Sequence, residues 1–526
     1  MGCNSSNQVG SDLPNANLPS KQPQTEEEMA AAEKAVDAAK AAFEAALEEA
    51  DEDQDKVVAL AVDYAIALQK SPGELPPEGF YTSEESIFEA LMPLGDGGIA
   101  PVKLLSSKWI KDRAAKLKAA TTDDERRKLR LPRRQDLERD EPEAFMSVER
   151  LKELPRKHGS FFDPVMRLQA AASSYCWLTP AHPDPLGEQL VSLAEAIEKA
   201  ETEGNRDYMG VEHTFPSEAA IFVDFGSLCQ KDPDLWVPCC GGPTYKPPEA
   251  RTAEEAAAAD AYEASRTGEE REAFGVALSS MQIWYVHPLL TAFLTRTLPE
   301  GYESIAGYEE VRHTPWLTPP LTHSLPTYST ALFPQRGWPT CESSWVALAK
   351  VSTTMCWPPI FDVVGSERYR RPAPLSPAAM ARLVARKRFT SKKGDLPMVI
   401  ALNTRTILSI FRDMKELVYL KVGWGDDEAV QLAEVLPLCT SATLLSLSNN
   451  KISDRGAKAL AAAFAEGAMP KLEELWLMSN QIGDEGAKAL AEAVGKGALP
   501  KLKELILGYN QIGDEGAVAL AEAVGK

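Results

Sequence analysis

The chain has 526 residues, of which 44% are hydrophobic and 25% charged, and its formal net charge is −21. This length exceeds what one hydrophobic core accommodates, so several structural units are expected. The acidic balance argues against nucleic acid as the main partner, and no run of about 20 apolar residues is present that would span a bilayer. The eight cysteines form no C-x-x-C pair, which favours reduced thiols in a cytoplasmic protein without a metal site.

The first residues, MGCNSS, contain a lipidation signal. Gly2 with Ser6 fits the N-myristoylation pattern, and the adjacent Cys3 is a site for palmitoylation. One myristoyl chain binds membranes only marginally, so stable anchoring requires the second acyl chain on Cys3. The alternative is an unmodified, disordered terminus. We expect residues 1–25 to be an acylated leash that holds a cytoplasmic protein at the inner face of a membrane.

Residues 26–70 are dominated by helix formers with apolar residues at helical spacing, which predicts one or two amphipathic helices with a break at Asp51–Asp53. Their apolar stripe would mediate oligomers or pack on the central domain. The Pro- and Gly-rich SPGELPPEGF then opens a linker, and residues 71–160 continue as a basic helical segment. We interpret the basic run as a solvated surface, with contact to anionic lipid as the alternative.

Residues 161–372 alternate strand-like and helix-like segments, which predicts an α/β domain with a doubly wound parallel sheet. The predicted strands are LQAAASSYCWLTP, AAIFVDFGSL and MQIWYVHP, and DPLGEQLVSLAEAIEKAE is a predicted helix. Further on, RGWPTCESSWVAL is predicted as a turn into a helix. Ligands of such sheets bind at the carboxyl ends of the strands. Residues 373–412 are expected to be connecting helices.

The central segment resembles Toll/interleukin-receptor (TIR) domains. SYCWLT followed by DPLGEQLVSLAEAI resembles their first strand and helix, FVDFGSL their second strand, and RGWPTCESSW the motif in which Trp, Cys and Glu precede a helix. Departures are the long loop before Arg336, Pro339 between the Trp and the Cys, and Ser343-Ser344 after the Glu. The resemblance implies a domain that signals or self-associates, and some TIR domains cleave NAD.

Two interpretations of Glu342 remain open. By the TIR resemblance it is a catalytic carboxylate that stabilises the positive charge developing as nicotinamide leaves NAD, with Trp177 and Trp338 stacking on rings of the dinucleotide. By the simpler interpretation it is a carboxylate in the first turn of a helix, where it gains about 0.3–1 kcal/mol from the helix dipole. No cofactor is otherwise expected, and NAD would be a substrate.

The last 114 residues contain the clearest pattern. Asn450, Asn480 and Asn510 recur every 30 residues, each preceded by leucines in the L-x-x-L-x-L-x-x-N frame of leucine-rich repeats. Each asparagine is expected to bond backbone groups where a strand turns toward its helix. An earlier, degenerate coil, ELVYLKVGWGDDEAVQLAEVL, is expected to place Gly425 at the asparagine position. The predicted result is an α/β solenoid over 413–526 that binds a protein partner on its concave strand face.

A repeat near 30 residues with a full helix per coil resembles the ribonuclease-inhibitor-like class, which also occurs in Ran GTPase-activating protein and in nucleotide-binding immune receptors. The NTPase motif of those receptors, G-x-x-x-x-G-K-[ST], is missing here. Three functions stay open: a membrane-tethered signalling scaffold with a TIR-like domain, the same architecture with NAD-cleaving activity, and a GTPase regulator. We adopt the first, because it uses every feature and needs no unproven chemistry.

Overall fold

A computed structural model describes residues 25–48, 53–158, 166–175, 177, 182–203, 205–206, 212–240, 246, 248–295, 337–349, 360–362, 371–387, 389 and 392–524. The α-helices in these ranges are α1 (Glu26–Ala46), α2 (Gln54–Lys70), α3 (Glu84–Glu89), α4 (Ser107–Ala119), α5 (Asp123–Leu129), α6 (Arg134–Asp140), α7 (Val148–Glu153), α8 (Glu188–Thr202), α9 (Asp224–Ser227), α10 (Ala253–Ala264), α11 (Gly268–Ser279), α12 (Gln282–Val286), α13 (Gly337–Ala349), α14 (Pro377–Ala385), α15 (Lys392–Asp413), α16 (Asp426–Ala433), α17 (Asp454–Ala465), α18 (Asp484–Gly495) and α19 (Asp514–Val524). The strands are β1 (Leu104–Ser106), β2 (Phe145–Met146), β3 (Lys157–His158), β4 (Met166–Arg167), β5 (Ala170–Ser174), β6 (Asn205–Arg206), β7 (Glu212–His213), β8 (Ala220–Val223), β9 (Thr291–Leu294), β10 (Ile360–Asp362), β11 (Glu416–Val418), β12 (Leu444–Ser446), β13 (Glu474–Trp476) and β14 (Glu504–Ile506).

The predicted N-terminal helices are present as α1 and α2. Thr25 begins α1 with a capping box to Glu28, and the Asp53 carboxylate accepts backbone N–H bonds at the start of α2. The buried face of α2 packs against α14 and α15. The Gln54 amide also donates to the Ala385 carbonyl oxygen at 3.0 Å. The apolar stripe of the N-terminal helices therefore packs on the helices that follow the central domain.

The central sheet has six strands among the described residues, in the order β10-β9-β5-β8-β1-β2. The first four are parallel to one another, and β1 and β2 extend the sheet in antiparallel register. Strand side chains alternate between the two faces. Ile221 packs with α4 and α8 on one face, while Phe222 stacks on Trp284 of α12 at 5.2 Å on the other. Helices on both faces confirm the predicted α/β class.

Two segments differ from the sequence prediction. MQIWYVHP, predicted as the third strand, forms helix α12, and that strand is TAFL at Thr291–Leu294 instead. A short run of buried apolar residues is compatible with either element, so its periodicity does not decide between them. The stretch 71–160, expected to be a linker and a basic helical segment, also contributes β1 and β2 to the central sheet.

The C-terminal coils stack their strands in parallel in the order β11-β12-β13-β14. The asparagine side chains tie adjacent coils together. Asn480 donates to the carbonyl oxygens of Leu447 and Leu477 at 2.9 and 3.1 Å and accepts from the Ile452 N–H at 3.0 Å. Asn450 and Asn510 make the equivalent bonds. The backbone turns between strand and helix are therefore satisfied by the neighbouring coil.

The assignment of Gly425 to the asparagine position is wrong. Leu417 pairs with Leu445, and this register places Val422, a buried residue, at the position of Asn450. Gly425 instead precedes the first residue of α16, as Gly483 precedes that of α18. The first coil has the apolar Val422 where the later coils have asparagine, so its sequence contains no asparagine that marks the position.

A second ladder of aspartates joins the helix starts. The Asp454 carboxylate, at the first residue of α17, accepts from the backbone N–H groups of Gly483 and Gly486 in the next coil at 2.7 and 2.8 Å. Asp426 and Asp484 bond the following coil in the same manner. Each carboxylate thus lies at the positive ends of two successive helices.

The repeats share a hydrophobic core with the N-terminal helices and with one face of the central sheet. One continuous cluster of buried residues runs from Phe43 in α1 through the α12–α13 face of the sheet to Leu499 in the repeats. In the described part of the chain, none of the helices is both long and apolar enough to cross a bilayer.

The aspartate ladder predicts opposite effects for two glycine-to-alanine substitutions. A Cβ on Gly486 would meet the Asp454 carboxylate oxygen at 2.7 Å and the Ile482 side chain at 2.8 Å, whereas a Cβ on Gly275 in α11 meets nothing within 4 Å. We expect Gly486→Ala to lower the free energy of unfolding by about 1–3 kcal/mol. Gly275→Ala should raise it by about 0.5–1 kcal/mol, because alanine has the higher helix propensity. Urea unfolding followed by circular dichroism measures both, and equal effects would contradict the packing described.

Candidate functional site

Glu342 lies in the interior of the molecule. Helix α13 begins at Gly337, so Glu342 occupies the second turn, and the prediction that it lies in the first turn is wrong. Its side chain is 5% exposed and points at the central sheet. The Ser174 hydroxyl, on the last residue of β5, donates to the Glu342 Oε2 at 2.5 Å. The helix-dipole interpretation therefore does not account for this carboxyl group.

The environment of Glu342 favours its neutral form. Burial raises the pKa of Glu342 to about 8, and the nearby Asp224 charge acts in the same direction, while hydrogen bonds with Ser174 and Tyr285 oppose the shift. At neutral pH the side chain is therefore mainly a carboxylic acid that can both donate and accept hydrogen bonds. Through its hydrogen bonds with Ser174 and Tyr285, the neutral Glu342 side chain of α13 connects the end of β5 with α12.

Asp224 is the second acid of this cluster and directly follows β8. Its carboxylate accepts from the Tyr175 hydroxyl, from the Trp177 indole N–H at 3.0 Å and from the Phe225 N–H at 2.6 Å. Burial raises the pKa of Asp224, and these hydrogen bonds lower it. Glu342 and Asp224 thus lie at the carboxyl ends of neighbouring parallel strands, the edge where sheets of this kind bind ligands.

The two predicted stacking residues have different surroundings. The Trp177 ring packs edge-to-face against Phe225 with 5.7 Å between centroids, so Trp177 belongs to the Asp224 side of the cluster. Trp338 is half-buried against the core, one helical turn before Glu342 on α13. Among the described residues, no ring-to-ring contact joins Trp177 and Trp338.

The amino end of α8 at the same edge is occupied by a carboxylate of the chain itself. Asp184 Oδ2 accepts from the Leu190 N–H at 2.9 Å. Burial raises the pKa of Asp184 to about 6, against backbone N–H bonds from residues 188–190 that lower it. The adjoining cavity, which Ser173, Asp184 and Thr295 help to line, has a volume of about 20 Å³, enough for one water molecule. The N–H groups that would hold a ligand phosphate are therefore already bonded.

The repeat strands present a second candidate site. Leu417, Leu445, Leu475 and Leu505 face the helices, so the alternate residues form a row across the opposite, concave face. In this row Val418, Trp476 and Ile506 are half-buried, and Ser446 is buried. A parallel row at the start of the strands contains Glu416, Glu474 and Glu504. Trp476 is half-buried, and its indole N–H has no hydrogen-bond partner. This face combines one large aromatic with a bordering negative charge.

Several residues of the site were not identified from the sequence. Ser174 begins the SYCWLT segment and Tyr285 lies in MQIWYVHP, but neither was singled out, and Asp184 lies in a DPLG turn that is compatible with helix capping. Among the residues with a described placement, no group of three His, Cys, Asp or Glu side chains is arranged to hold a metal. Gly2 and Cys3 lie outside the described residues.

Comparison with known proteins identifies the repeats. The family described as Leucine Rich repeat matches residues 439–461, 468–491 and 498–521, which contain Asn450, Asn480 and Asn510. No curated protein matches the chain significantly. The C-terminal segment is therefore made of leucine-rich repeats, a fold that commonly mediates protein–protein contacts.

The raised pKa of Glu342 predicts a pH dependence of stability. Between its ordinary pKa of 4.5 and its folded-state pKa of about 8, the folded protein retains a proton that the unfolded chain has released. Raising the pH through this window therefore removes stability. Glu342→Gln keeps hydrogen-bonding groups but cannot ionise, so it does not lose stability in this way. As the pH rises through the window, the free energy of unfolding of Glu342→Gln minus that of wild type should therefore increase by up to about 1.4 kcal/mol per pH unit.

Urea unfolding at several pH values between 5 and 9 measures this difference. Glu195→Gln, which removes an exposed carboxylate on α8, is the matched control and should follow the wild-type curve. If the Glu342→Gln and wild-type curves run parallel, Glu342 is ionised throughout and the neutral-acid account is wrong.

Proposed function

We propose that the protein is a membrane-tethered signalling scaffold that binds a protein partner through its leucine-rich repeats. In this proposal the central domain is TIR-like and signals or self-associates, and acyl chains on Gly2 and Cys3 hold the protein at the inner face of a membrane. The observation that carries the binding function is the concave row centred on Trp476. The period of 30 residues with one helix per coil supports the ribonuclease-inhibitor-like class.

The order of the parallel strands supports the TIR-like assignment. Numbered along the chain, β5, β8, β9 and β10 are the first to fourth parallel strands, and their spatial order is second, first, third, fourth. Doubly wound sheets of the flavodoxin-like kind begin with this order. The connections place α8 on one face and α12 and α13 on the other. The motif glutamate, Glu342, then reaches the end of the first parallel strand.

The chemistry of the concave face supports a protein partner. Tryptophan is enriched among residues that dominate binding energy, especially when it lies centrally and is partly enclosed. Trp476 has repeat strands on both sides, and its ring is half-buried, so part of the ring is left for a partner to cover. The bordering Glu416, Glu474 and Glu504 favour a partner surface that carries Lys or Arg, because complementary charge speeds encounter and fixes register.

Substitution of Trp476 tests the binding surface. In cells expressing the tagged protein, chemical crosslinking should recover from the membrane fraction a partner that Trp476→Ala loses by about tenfold or more. Val276→Ala, which shortens an exposed apolar residue on α11, is the control and should recover the partner as wild type does. Gly2→Ala should move the protein itself to the soluble fraction. Undiminished crosslinking by Trp476→Ala would contradict the assignment of this face.

NAD cleavage is the second candidate, and it is favoured by the position of Glu342 beside Asp224 and Trp177 at the ligand-binding edge of the sheet. Two observations weigh against it. Glu342 is mainly protonated near neutral pH, whereas charge stabilisation requires the ionised form, and Asp184 occupies the helix end that would bind phosphate. The GTPase-regulator alternative rests on the class of repeat alone, and proteins that share a fold often have unrelated functions.

Our proposal predicts no NAD consumption by the purified wild-type protein. Nicotinamide release is measured beside Glu342→Gln, with the fold of both checked by circular dichroism. Turnover by wild type that is abolished in Glu342→Gln would instead establish the enzymatic alternative. Turnover equal in both proteins would indicate a contaminating hydrolase, because the variant lacks the only carboxylate assigned to the reaction.

A further inference from the structure

A cavity of about 410 Å³ lies between α13, α14, α15 and the first repeat helix, α16. Its apolar walls come from Trp345, Leu348, Leu375, Met380, Leu383 and Ile407. Volumes of this order are typical of sites that hold a small organic molecule. Neither Glu342 nor the concave row of the repeats contributes to this lining, so the cavity is a separate candidate site.

Two polar side chains in the wall of the cavity each have an atom that makes no hydrogen bond. The Asn403 side-chain oxygen and the Trp345 indole N–H are both buried, and neither has a hydrogen-bond partner in the described part of the chain. Asn403 is 2% exposed and Trp345 is fully buried, so bulk water does not bond these atoms. A buried polar atom without a partner is costly, and native proteins contain few of them.

Asn403 and Trp345 belong to the same part of the cavity wall. The Asn403 amide N–H donates to the Cys341 sulfur at 3.2 Å. Trp345 follows Cys341 by one turn of α13, so Cys341 and Trp345 lie on the same face of that helix. One hydrogen-bond acceptor, from Asn403, and one donor, from Trp345, are therefore presented together to an occupant of the cavity.

These two groups define the polar part of a ligand. It must present an N–H or O–H to the Asn403 oxygen and an acceptor oxygen to the Trp345 indole N–H. Neither group calls for a charge, and burying an ionised group costs far more than burying a neutral one. Lys387 also lines the cavity and already has an interaction partner, so a ligand needs no anionic group for it.

We propose that this cavity binds a small neutral molecule that has an apolar body and one carboxamide group. A carboxamide carries a donor N–H beside an acceptor oxygen and has no charge. Its N–H bonds the Asn403 oxygen, its oxygen accepts from the Trp345 indole, and the apolar body packs between α13, α14 and α15. This site is independent of the proposed scaffold function, since it uses neither Trp476 nor Glu342.

The position of the cavity gives the ligand a structural consequence. Gln431 of α16 lines the cavity and donates to the Ala373 carbonyl oxygen at 2.6 Å. The site therefore spans the junction between α13 and the first coil of the repeats. A ligand bound only by the folded protein stabilises it in proportion to the logarithm of ligand concentration over Kd, so binding should strengthen this junction.

A ligand series tests the proposal on the full-length wild-type protein. Isothermal titration calorimetry compares octanamide, 2-nonanone and octanoate, each below the concentration at which it aggregates. 2-Nonanone has a methyl group in place of the amide NH₂, so it keeps the shape and the acceptor oxygen of octanamide but cannot donate. We expect octanamide to bind about tenfold more tightly than 2-nonanone. Octanoate should also bind more weakly than octanamide, because its carboxylate cannot donate to Asn403 and loses its hydration on burial.

Three results of this series would overturn the proposal. If octanamide does not bind, the Asn403 and Trp345 groups are satisfied by water and the cavity is not a carboxamide site. Equal affinities for octanamide and 2-nonanone would show that binding depends on apolar burial alone. Tighter binding of octanoate than of octanamide would show that charge, and not the neutral pair of groups, selects the ligand.

Two variants separate the roles of the polar groups. Asn403→Leu should abolish the preference for octanamide over 2-nonanone. Trp345→Phe should weaken binding of both by a similar factor, about tenfold, because each carbonyl oxygen loses the same donor. Trp284→Phe, which removes a buried indole N–H that does not line the cavity, is the control and should bind as wild type. Full octanamide affinity in Asn403→Leu and in Trp345→Phe would contradict the assignment. The wild-type series remains decisive if a variant fails to fold.

Discussion

The arrangement of the molecule depends on one buried cation, Arg371. Its guanidinium donates to the carbonyl oxygens of Ala347 and Leu348, both at 3.0 Å, at the carboxyl end of α13, and lies 4.5 Å from the ring centroid of Tyr419 in the first repeat coil. The Arg371 carbonyl oxygen accepts from the Trp424 indole N–H at 2.8 Å. A buried charge is costly unless it is compensated. Here the negative end of a helix dipole and an aromatic face compensate it, and this requirement fixes α13 against the repeats.

Helix α13 consequently connects three parts of the molecule. Through Glu342 it reaches the end of β5, through Thr340, Ser344 and Leu348 it lines the cavity beside α14 and α15, and at its carboxyl end it meets the repeats. The neutral state of Glu342 is consistent with this connecting role, because a protonated acid bonds Ser174 without the cost of burying an unpaired charge. Catalysis at this position would need an ionised carboxylate and a bound dinucleotide, and Asp184 already fills the helix end suited to phosphate. We therefore propose that Glu342 positions α13 and that a protein partner binds on the concave repeat face.

The sequence predicted those elements whose signal is local and repeated. The leucine frame and the asparagines of the repeats specify strand, turn and helix within each 30-residue unit, and the α/β alternation predicted the central sheet. Elements with ambiguous local signals were missed. MQIWYVHP is apolar enough for either a strand or a buried helix, and it forms a helix because it packs against one face of the sheet. The roles that the motif gives to Glu342 and Trp177 remain predictions. Ser174, Tyr285 and Arg371 were not identified from the sequence, because their contacts join residues that are distant in sequence.

We infer that the sheet domain and the repeats form one folding unit joined through α13. Hydrogen–deuterium exchange measured at increasing urea concentrations tests it most directly, since it reports the free energy and the surface exposed in each opening reaction. We expect peptides from β5, α13 and β12 to reach the same opening free energy with the same urea dependence. Repeat peptides that open at a distinctly lower free energy, while β5 and α13 stay protected, would contradict it and would make the repeats an independent domain.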